Sequence, residues 1–123
     1  MPSTPHLRLL IVEDDEALRL LLGLQLEDYD DVEVVGSAAN AADALALCER
    51  AAPNAAMIDL RLPDTPGEVL IADLRERYPD MRLVAYSSSP LISISHRLAD
   101  WGIQIIDKGE VAEAVRSLRG ADA

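Results

Sequence analysis

Five polar residues in this chain follow apolar runs: Glu13 and Asp14 after Leu7 to Val12, Asp59 after Ala55 to Ile58, Ser87 after Arg82 to Tyr86, and Lys108 just beyond Ile103 to Ile106. A strand buried on both faces of a parallel sheet reads as such a run, so each of these residues is expected at the sheet's carboxyl edge. That edge is where open α/β sheets bind their ligands. Three carboxylates gathered there repel one another, so either some keep a proton or a divalent cation sits among them. An all-oxygen donor set with room for water suits Mg²⁺ better than a transition metal. The amine of Lys108 and the hydroxyl of Ser87 add donors for a dianionic, tetrahedral group. Asp59 would then act as nucleophile and form an acyl phosphate, as aspartates do in some ATPases. An aspartate ending a strand is by itself an ordinary turn former, and a lone lysine or serine in a loop is ordinary too. The joint arrangement carries the chemistry.

The elements that must position these groups alternate along the chain. Leu7 to Val12 is the first strand, and the acidic cluster Glu13-Asp14-Asp15-Glu16 opens a helix running to about Glu27. Its leucines sweep an apolar arc of roughly 240°, wider than one core face needs. Two readings follow: a deeply packed helix, or one that also offers Leu20 or Leu24 to a partner. Val32 to Val35 is a second strand ended by Gly36, and Asn40 caps an Ala-rich helix to about Arg50. After the third strand, Pro63-Asp64-Thr65-Pro66-Gly67 is a turn cluster, and a helix runs from about Glu68 to Tyr78. Arg82 to Tyr86 is the fourth strand. Pro90 suits a first helical position, and Leu91, Ile94, Leu98 and Trp101 keep helical spacing, although Leu-Ile-Ser-Ile-Ser also alternates like a strand. Ile103 to Ile106 is the fifth strand, and Val111, Ala114, Val115 and Leu118 mark a last amphipathic helix. Five strands alternating with five helices predict a doubly wound parallel sheet with helices on both faces. In the order 2-1-3-4-5 the first and third strands flank the switch point, and their carboxylates meet in one crevice.

The chain has 123 residues, the size of one domain with a core that needs no staples. Half of the residues are hydrophobic but only 3% are aromatic, so the packing must be aliphatic. A net charge of −11 repels phosphate backbones, which argues against direct nucleic-acid binding and favours cationic partners or metal ions. Cys48 is the only cysteine and falls on an apolar helical stripe, where a reduced core thiol is expected, in keeping with the cytoplasm. His6 lies in the leader and His96 is an isolated helix residue expected in solvent. No apolar run approaches the ~18 residues of a membrane span, and Met1 to His6 is too short for a signal peptide.

At the residues just named, the chain resembles the receiver (CheY-like) domain of bacterial two-component response regulators. The resemblance rests on Ile-Val-Glu-Asp-Asp-Glu-Ala-Leu-Arg (11 to 19), Asp-Leu-Arg-Leu-Pro-Asp-Thr-Pro-Gly (59 to 67), Ser87-Ser88 and Lys108, and it covers Leu7 to Leu118. It implies a flavodoxin-like fold over residues 7–119, with 1–6 a disordered leader and 120–123 a tail. It implies that Asp59 is the phosphoacceptor, that Asp14 is the metal-binding acid with Glu13 as its partner, and that the carbonyl of Arg61 is the third protein ligand to Mg²⁺. The spacing to Arg19 puts Asp15 just outside that pair, as an alternative to one of its members. Ser87 matches the switch hydroxyl and Lys108 the lysine that grips the phosphoryl group. The phosphoryl group would come from a phosphohistidine on a histidine kinase or histidine phosphotransfer protein and be lost by metal-assisted hydrolysis. Such a domain turns over no other substrate, and its α4-β5-α5 face engages a downstream effector protein.

Two positions depart from the family pattern. Gly109 stands where a cis-proline is usual, and Ile105 where an aromatic commonly rotates with the hydroxyl. Trp101 is nearby in sequence, as a packing residue or as a replacement for that aromatic. Arg61 and Ser89 occupy positions that tune hydrolysis in the family. A stand-alone receiver, the input half of a longer DNA-binding regulator, and an unphosphorylated interaction module remain open, as does the oligomeric state. The segment Val32-Glu-Val-Val-Gly-Ser-Ala resembles receivers joined to helix-turn-helix domains.

Overall fold

The computed structural model describes residues 7–88 and 92–120, and in 92–95 the backbone alone. The leader at 1–6, Ser89, the helix start at Pro90 with Leu91, the side chain of Ile94, and the tail beyond Gly120 lie outside the described residues. Elements run in the order β1 (Leu7–Val12), α1 (Glu16–Leu26), β2 (Val32–Ala38), α2 (Ala41–Ala51), β3 (Ala55–Asp59), α3 (Gly67–Arg77), β4 (Arg82–Ser87), α4 (Ile92–Asp100), β5 (Ile105–Asp107) and α5 (Val111–Arg119). Every strand pair is parallel, and the order across the sheet is β2-β1-β3-β4-β5. Parallel neighbours cannot be joined by a hairpin, so each crossover carries a helix and every strand points its carboxyl end the same way. β1 and β3 are adjacent at the switch point, as the sequence pattern requires.

Successive strand residues face opposite sides, which divides the core in two. Leu10, Val12, Ala56, Ile58 and Ala85 pack with Ala44 and Cys48 of α2, Leu70, Ile71 and Leu74 of α3, and Leu98 of α4. Leu9, Ile11, Ala55, Met57, Val84 and Tyr86 pack with Leu22 and Leu26 of α1 and Val111, Val115 and Leu118 of α5. Ile58 is wholly buried one residue before Asp59, so the packing that fixes the strand also fixes the acid. Ile58→Val would remove one buried methyl, at a cost of about 0.5–1.5 kcal/mol. Burial pushes the Cys48 thiol above its ordinary range, as an inert core cysteine requires.

Several local expectations need correction. β2 does not end at Gly36 but runs on to Ala38, with a bulge: Leu9 pairs with Val34 and Leu10 with Gly36, leaving Val35 as the extra residue. Gly36 is small for packing, since a Cβ there would lie 3.2 Å from the Cδ atoms of Leu47 on α2. The alternating Leu-Ile-Ser-Ile-Ser stretch is helical from Ile92 on. β5 begins at Ile105 rather than Ile103, because Ile103 N donates to Leu98 O in the turn that closes α4. α1 is not deeply packed all round: Leu20, Leu21 and Leu24 stand exposed on the side away from Leu22 and Leu26. Trp101 is a packing residue at the sheet's amino edge, half-buried, with the Arg75 guanidinium 4.7 Å from its ring centroid. No described helix is long and apolar enough to cross a membrane.

The turn cluster after β3 has one function that local pattern did not reveal. Asp64 reaches across to α2 and accepts from Ala41 N at 3.0 Å and Ala42 N at 3.1 Å, while Asn40 accepts from Asp43 N at 2.8 Å. Three otherwise orphan amide donors are thereby satisfied, and the β3–α3 loop is tied to its neighbour. The bond from Ala41 N, more than the slight burial opposing it, holds the Asp64 carboxyl below the usual range. A depressed folded pKa contributes stability above the ordinary value near 3.8 that is lost as pH falls through the folded value. Asp64→Ala is therefore expected to lower Tm at neutral pH, with the gap to wild type closing in strong acid; thermal scans at stepped pH check this. An unchanged gap at acid pH would show that the carboxylate charge contributes nothing.

Candidate functional site

The site sits on the carboxyl ends of β1, β3, β4 and β5. β1 delivers Glu13, whose own N–H extends the ladder by donating to Ala38 O at 2.9 Å. The chain then turns, and Asp15 caps α1 by accepting from Leu18 N at 3.2 Å. Asp15 is thus occupied as a cap and is not among the clustered acids. Asp59 is the last residue of β3 and pairs with Tyr86 of β4. Ser87 follows as the last residue of β4, inside the strand rather than beyond it, in register with Asp107.

Glu13, Asp14 and Asp59 each offer an oxygen within 4.8 Å of the others. Glu13 is wholly buried and Asp59 only 2% exposed, while Asp14 faces solvent. Lys108 Nζ lies 3.2 Å from Asp59 Oδ2 and 3.2 Å from Glu13 Oε1, bridging the two buried acids. Asp59 Oδ1 accepts from Arg61 N at 3.0 Å. Glu13 Oε2 accepts from Asp15 N at 3.0 Å, and its Oε1 accepts from the Tyr86 hydroxyl at 2.9 Å. Both carboxylates are thus aimed by backbone N–H groups from the residue two places on, a constraint the turn itself imposes. The Arg61 side chain stands exposed to solvent and only its backbone touches the site.

The electrostatics follow from two buried acids sharing one amine, with a third acid beside them. Burial pushes the Glu13 carboxyl above the ordinary glutamate range; the Asp15 N–H and Tyr86 hydroxyl oppose this, Asp59 adds to it, and Lys108 opposes it. Burial alone would lower Lys108, but its hydrogen bond to Asp59 and its attraction to both acids hold its ammonium above the usual lysine range. The amine therefore stays charged. Tyr86 is driven upward by burial first and by the Glu13 charge second, so its phenol remains protonated and donates to Glu13. That tyrosine is the functional contact sequence reading missed, since Tyr86 appeared only as the end of an apolar run. Its sole signal was a hydroxyl on a residue adjacent to Ser87.

A small divalent cation fits this donor set. The three carboxylates are all hard oxygen ligands, one of them reaches solvent, and they outnumber the single ammonium. His96 is exposed, as expected, and takes no part. An open groove of about 590 Å³ lined by Arg75, Arg82, Trp101 and Gly120 shares no residue with the acidic cluster.

Residues 9–115 match the family model for the response regulator receiver domain. The chain belongs to that family. It is a receiver domain of two-component signalling, and its relatives include bacterial regulators. It is 34% identical over 116 residues to the DNA-binding transcriptional activator DevR/DosR of Mycobacterium tuberculosis, covering 90% of this chain and 54% of that protein. The chain thus spans about half the length of the curated relatives it matches, 54% and 55% for DevR/DosR and the VraR response regulator of Staphylococcus epidermidis. A CheY-like receiver domain protein from Methanospirillum hungatei superposes with a TM-score of 0.78 at 26% identity, covering 93% of this chain and 91% of that one. A LuxR-family DNA-binding response regulator from Staphylococcus aureus shares the fold with a TM-score of 0.82 at 20% identity, over 92% and 96% of the two chains.

Against the receiver pattern, Gly109 takes φ +96, a left-handed conformation closed to proline, and no cis bond occurs among the described residues. The turn after Lys108 is therefore built differently. Ile105 is half-buried against the core beside α4 instead of presenting an aromatic. Gly67 is demanded by close approach: a Cβ there would lie 2.7 Å from Leu60 Cα and closer still to Asp59 O. α3 begins pressed against the backbone that carries the acid. Gly67→Ala is expected to cost about 1–3 kcal/mol and several degrees of Tm, because only backbone can give way. Thermal unfolding checks it, and an unchanged Tm would mean that this wedge is slack.

Proposed function

We propose that Asp59 accepts a phosphoryl group from a phosphohistidine on a histidine kinase or histidine phosphotransfer protein, in a reaction that requires Mg²⁺. The observation that carries this reading is the buried Asp59 carboxylate, held through Oδ1 by Arg61 N–H and through Oδ2 by Lys108, beside Glu13 and Asp14. An Asp59 oxygen forms the bond to phosphorus as the phosphorus–nitrogen bond breaks, and the imidazole leaves with that electron pair. The Arg61 N–H fixes the carboxylate's orientation, so the attack starts from one rotamer. Glu13, Asp14, Asp59 and the Arg61 carbonyl would hold the Mg²⁺, which supplies positive charge to the phosphoryl oxygens. Lys108 exchanges its contact with Asp59 for a phosphoryl oxygen, and the Ser87 hydroxyl donates to another. Hydrolysis of the acyl phosphate returns the domain to its starting state.

Phosphorylation then alters the α4-β5-α5 face and so the binding of a downstream effector protein. The name DNA-binding transcriptional activator, borne by a relative of about twice this length, supports a role as the input part of a longer regulator. DNA contact would belong to another domain, since this one carries a net charge of −11. The free, buried Cys48 suits a reducing, cytoplasmic setting. The domain is a self-modifying signalling unit rather than an enzyme acting on other molecules.

Incubation with Mg²⁺ and a small phosphodonor is expected to add the mass of one phosphoryl group, and chelation or Asp59→Asn should abolish the addition. Mg²⁺ alone should raise Tm through binding to the folded state, and Asp14→Asn should remove most of that rise. An unmodified mass with intact Mg²⁺ stabilisation would favour a module that signals by constitutive contacts.

A further inference from the structure

Tyr86 is a core residue whose hydroxyl the core does not need. Its ring is 2% exposed and shares an apolar layer with Leu22, Met57, Val111 and Ala114, with about 10 Å³ of free space beside it. A phenylalanine ring would fill that layer equally. The hydroxyl is instead spent on Glu13 Oε1 at 2.9 Å, and the Lys108 ammonium takes the same oxygen at 3.2 Å. That ammonium also stands 5.5 Å from the centroid of the Tyr86 ring, within reach of a cation–π attraction. One packed side chain thus touches both a buried acid and the amine that bridges this acid to Asp59.

The two donors on Glu13 Oε1 differ in kind. The ammonium orients the carboxylate but offsets its charge, whereas the neutral phenol orients it and leaves the negative charge available to a cation. They differ in freedom as well. Lysine carries its amine on a flexible stem, while a ring locked by packing fixes where its hydroxyl points. Groups that hydrogen-bond a metal-ligating carboxylate set its orientation, and their loss typically weakens metal binding about 10–100-fold. We propose that Tyr86 is a positioning residue for the divalent cation: its hydroxyl holds the Glu13 carboxylate in the geometry that the ion requires. The inference rests on the Mg²⁺ site proposed above and adds to it a residue that acts through Glu13. It does not depend on phosphoryl transfer.

Mg²⁺ titration of the full chain, followed by amide NMR shifts with no phosphodonor present, is the test. Wild type is expected to bind the ion, and Tyr86→Phe, which keeps the ring, to bind it about tenfold more weakly with its dispersed spectrum intact. Tyr86→4-aminophenylalanine returns a donor to the same place and should recover most of the loss. Glu13→Ala takes away the group on which the hydroxyl acts, so adding Tyr86→Phe to it should change Mg²⁺ affinity by less than about twofold. A Tyr86→Phe variant that binds within about twofold of wild type overturns the proposal and leaves the metal site standing. So does a loss that persists undiminished in the Glu13→Ala background, or one that the added amine fails to recover. A wild type that binds no Mg²⁺ would overturn the metal role of the cluster, and this inference with it.

Discussion

The structure turns on one charge imbalance: a single ammonium, Lys108 Nζ, stands 3.2 Å from carboxylate oxygens of both Glu13 and Asp59, with the third acid, Asp14, alongside. Isolated in water, three carboxylates would separate. Here they are held by strand ends whose positions are set elsewhere, by Ile58, Leu10 and Val12 in one layer and Ile11 and Met57 in the other. Burial raises the Glu13 carboxyl, because its surroundings disfavour the charged form. Hydrophobic packing of the sheet is what keeps the acids together. The excess negative charge is then a standing demand for a cation, and Lys108 meets only part of it.

The demand is also shaped. Backbone N–H groups from Asp15 and Arg61 each take one oxygen of Glu13 and Asp59, and the Tyr86 hydroxyl takes the other oxygen of Glu13. These donors leave Asp59 Oδ2 facing the ammonium, which sits on a long side chain able to change rotamer. Gly67 and Asp64 act at one remove. The first lets α3 start against the β3 backbone, and the second ties the intervening loop to α2. The loop that carries Arg61 is therefore clamped at both ends, and an amide bond that must be aimed at a carboxylate is placed by packing and capping.

Most of this was legible because the chain uses periodicities that physics forces. Continuous apolar runs marked four strands at sites close to those observed, and polar residues at their ends marked the edge where Glu13, Asp14, Asp59, Ser87 and Lys108 stand. The asparagine cap at residue 40 was equally plain. What escaped were contacts that join distant parts of the chain. Asp64 read as a turn former because its partners are the amides of Ala41 and Ala42, and backbone amides leave no mark in a sequence. Tyr86 read as core because its ring is core; that its hydroxyl meets Glu13 and its ring lies 5.5 Å from Lys108 Nζ depends on the fold. Gly36 mimicked a strand terminator while serving the packing of Leu47. The width of the α1 arc was visible, but not which leucines face outward, since that depends on how the helix is rotated on the sheet.

The backbone around Lys108 links the acidic site to the outer face of the domain. Lys108 N donates to Ser87 O at 3.2 Å, and Ser87 lies in register with Asp107, so β4 and β5 are joined at the residue that carries the amine. β5 is only three residues long, which leaves few ladder bonds to resist a shift at its end. Beyond it Gly109 adopts φ +96, a region where glycine has no steric penalty and neighbouring wells are open to it. A proline there would hold the turn in one geometry; the glycine permits several. The strand behind the ammonium is thus short, and the turn beyond it is permissive. The half-buried Ile105 on that strand belongs to the same apolar layer as Leu98 and Trp101, so its link to the core is through hydrophobic contacts.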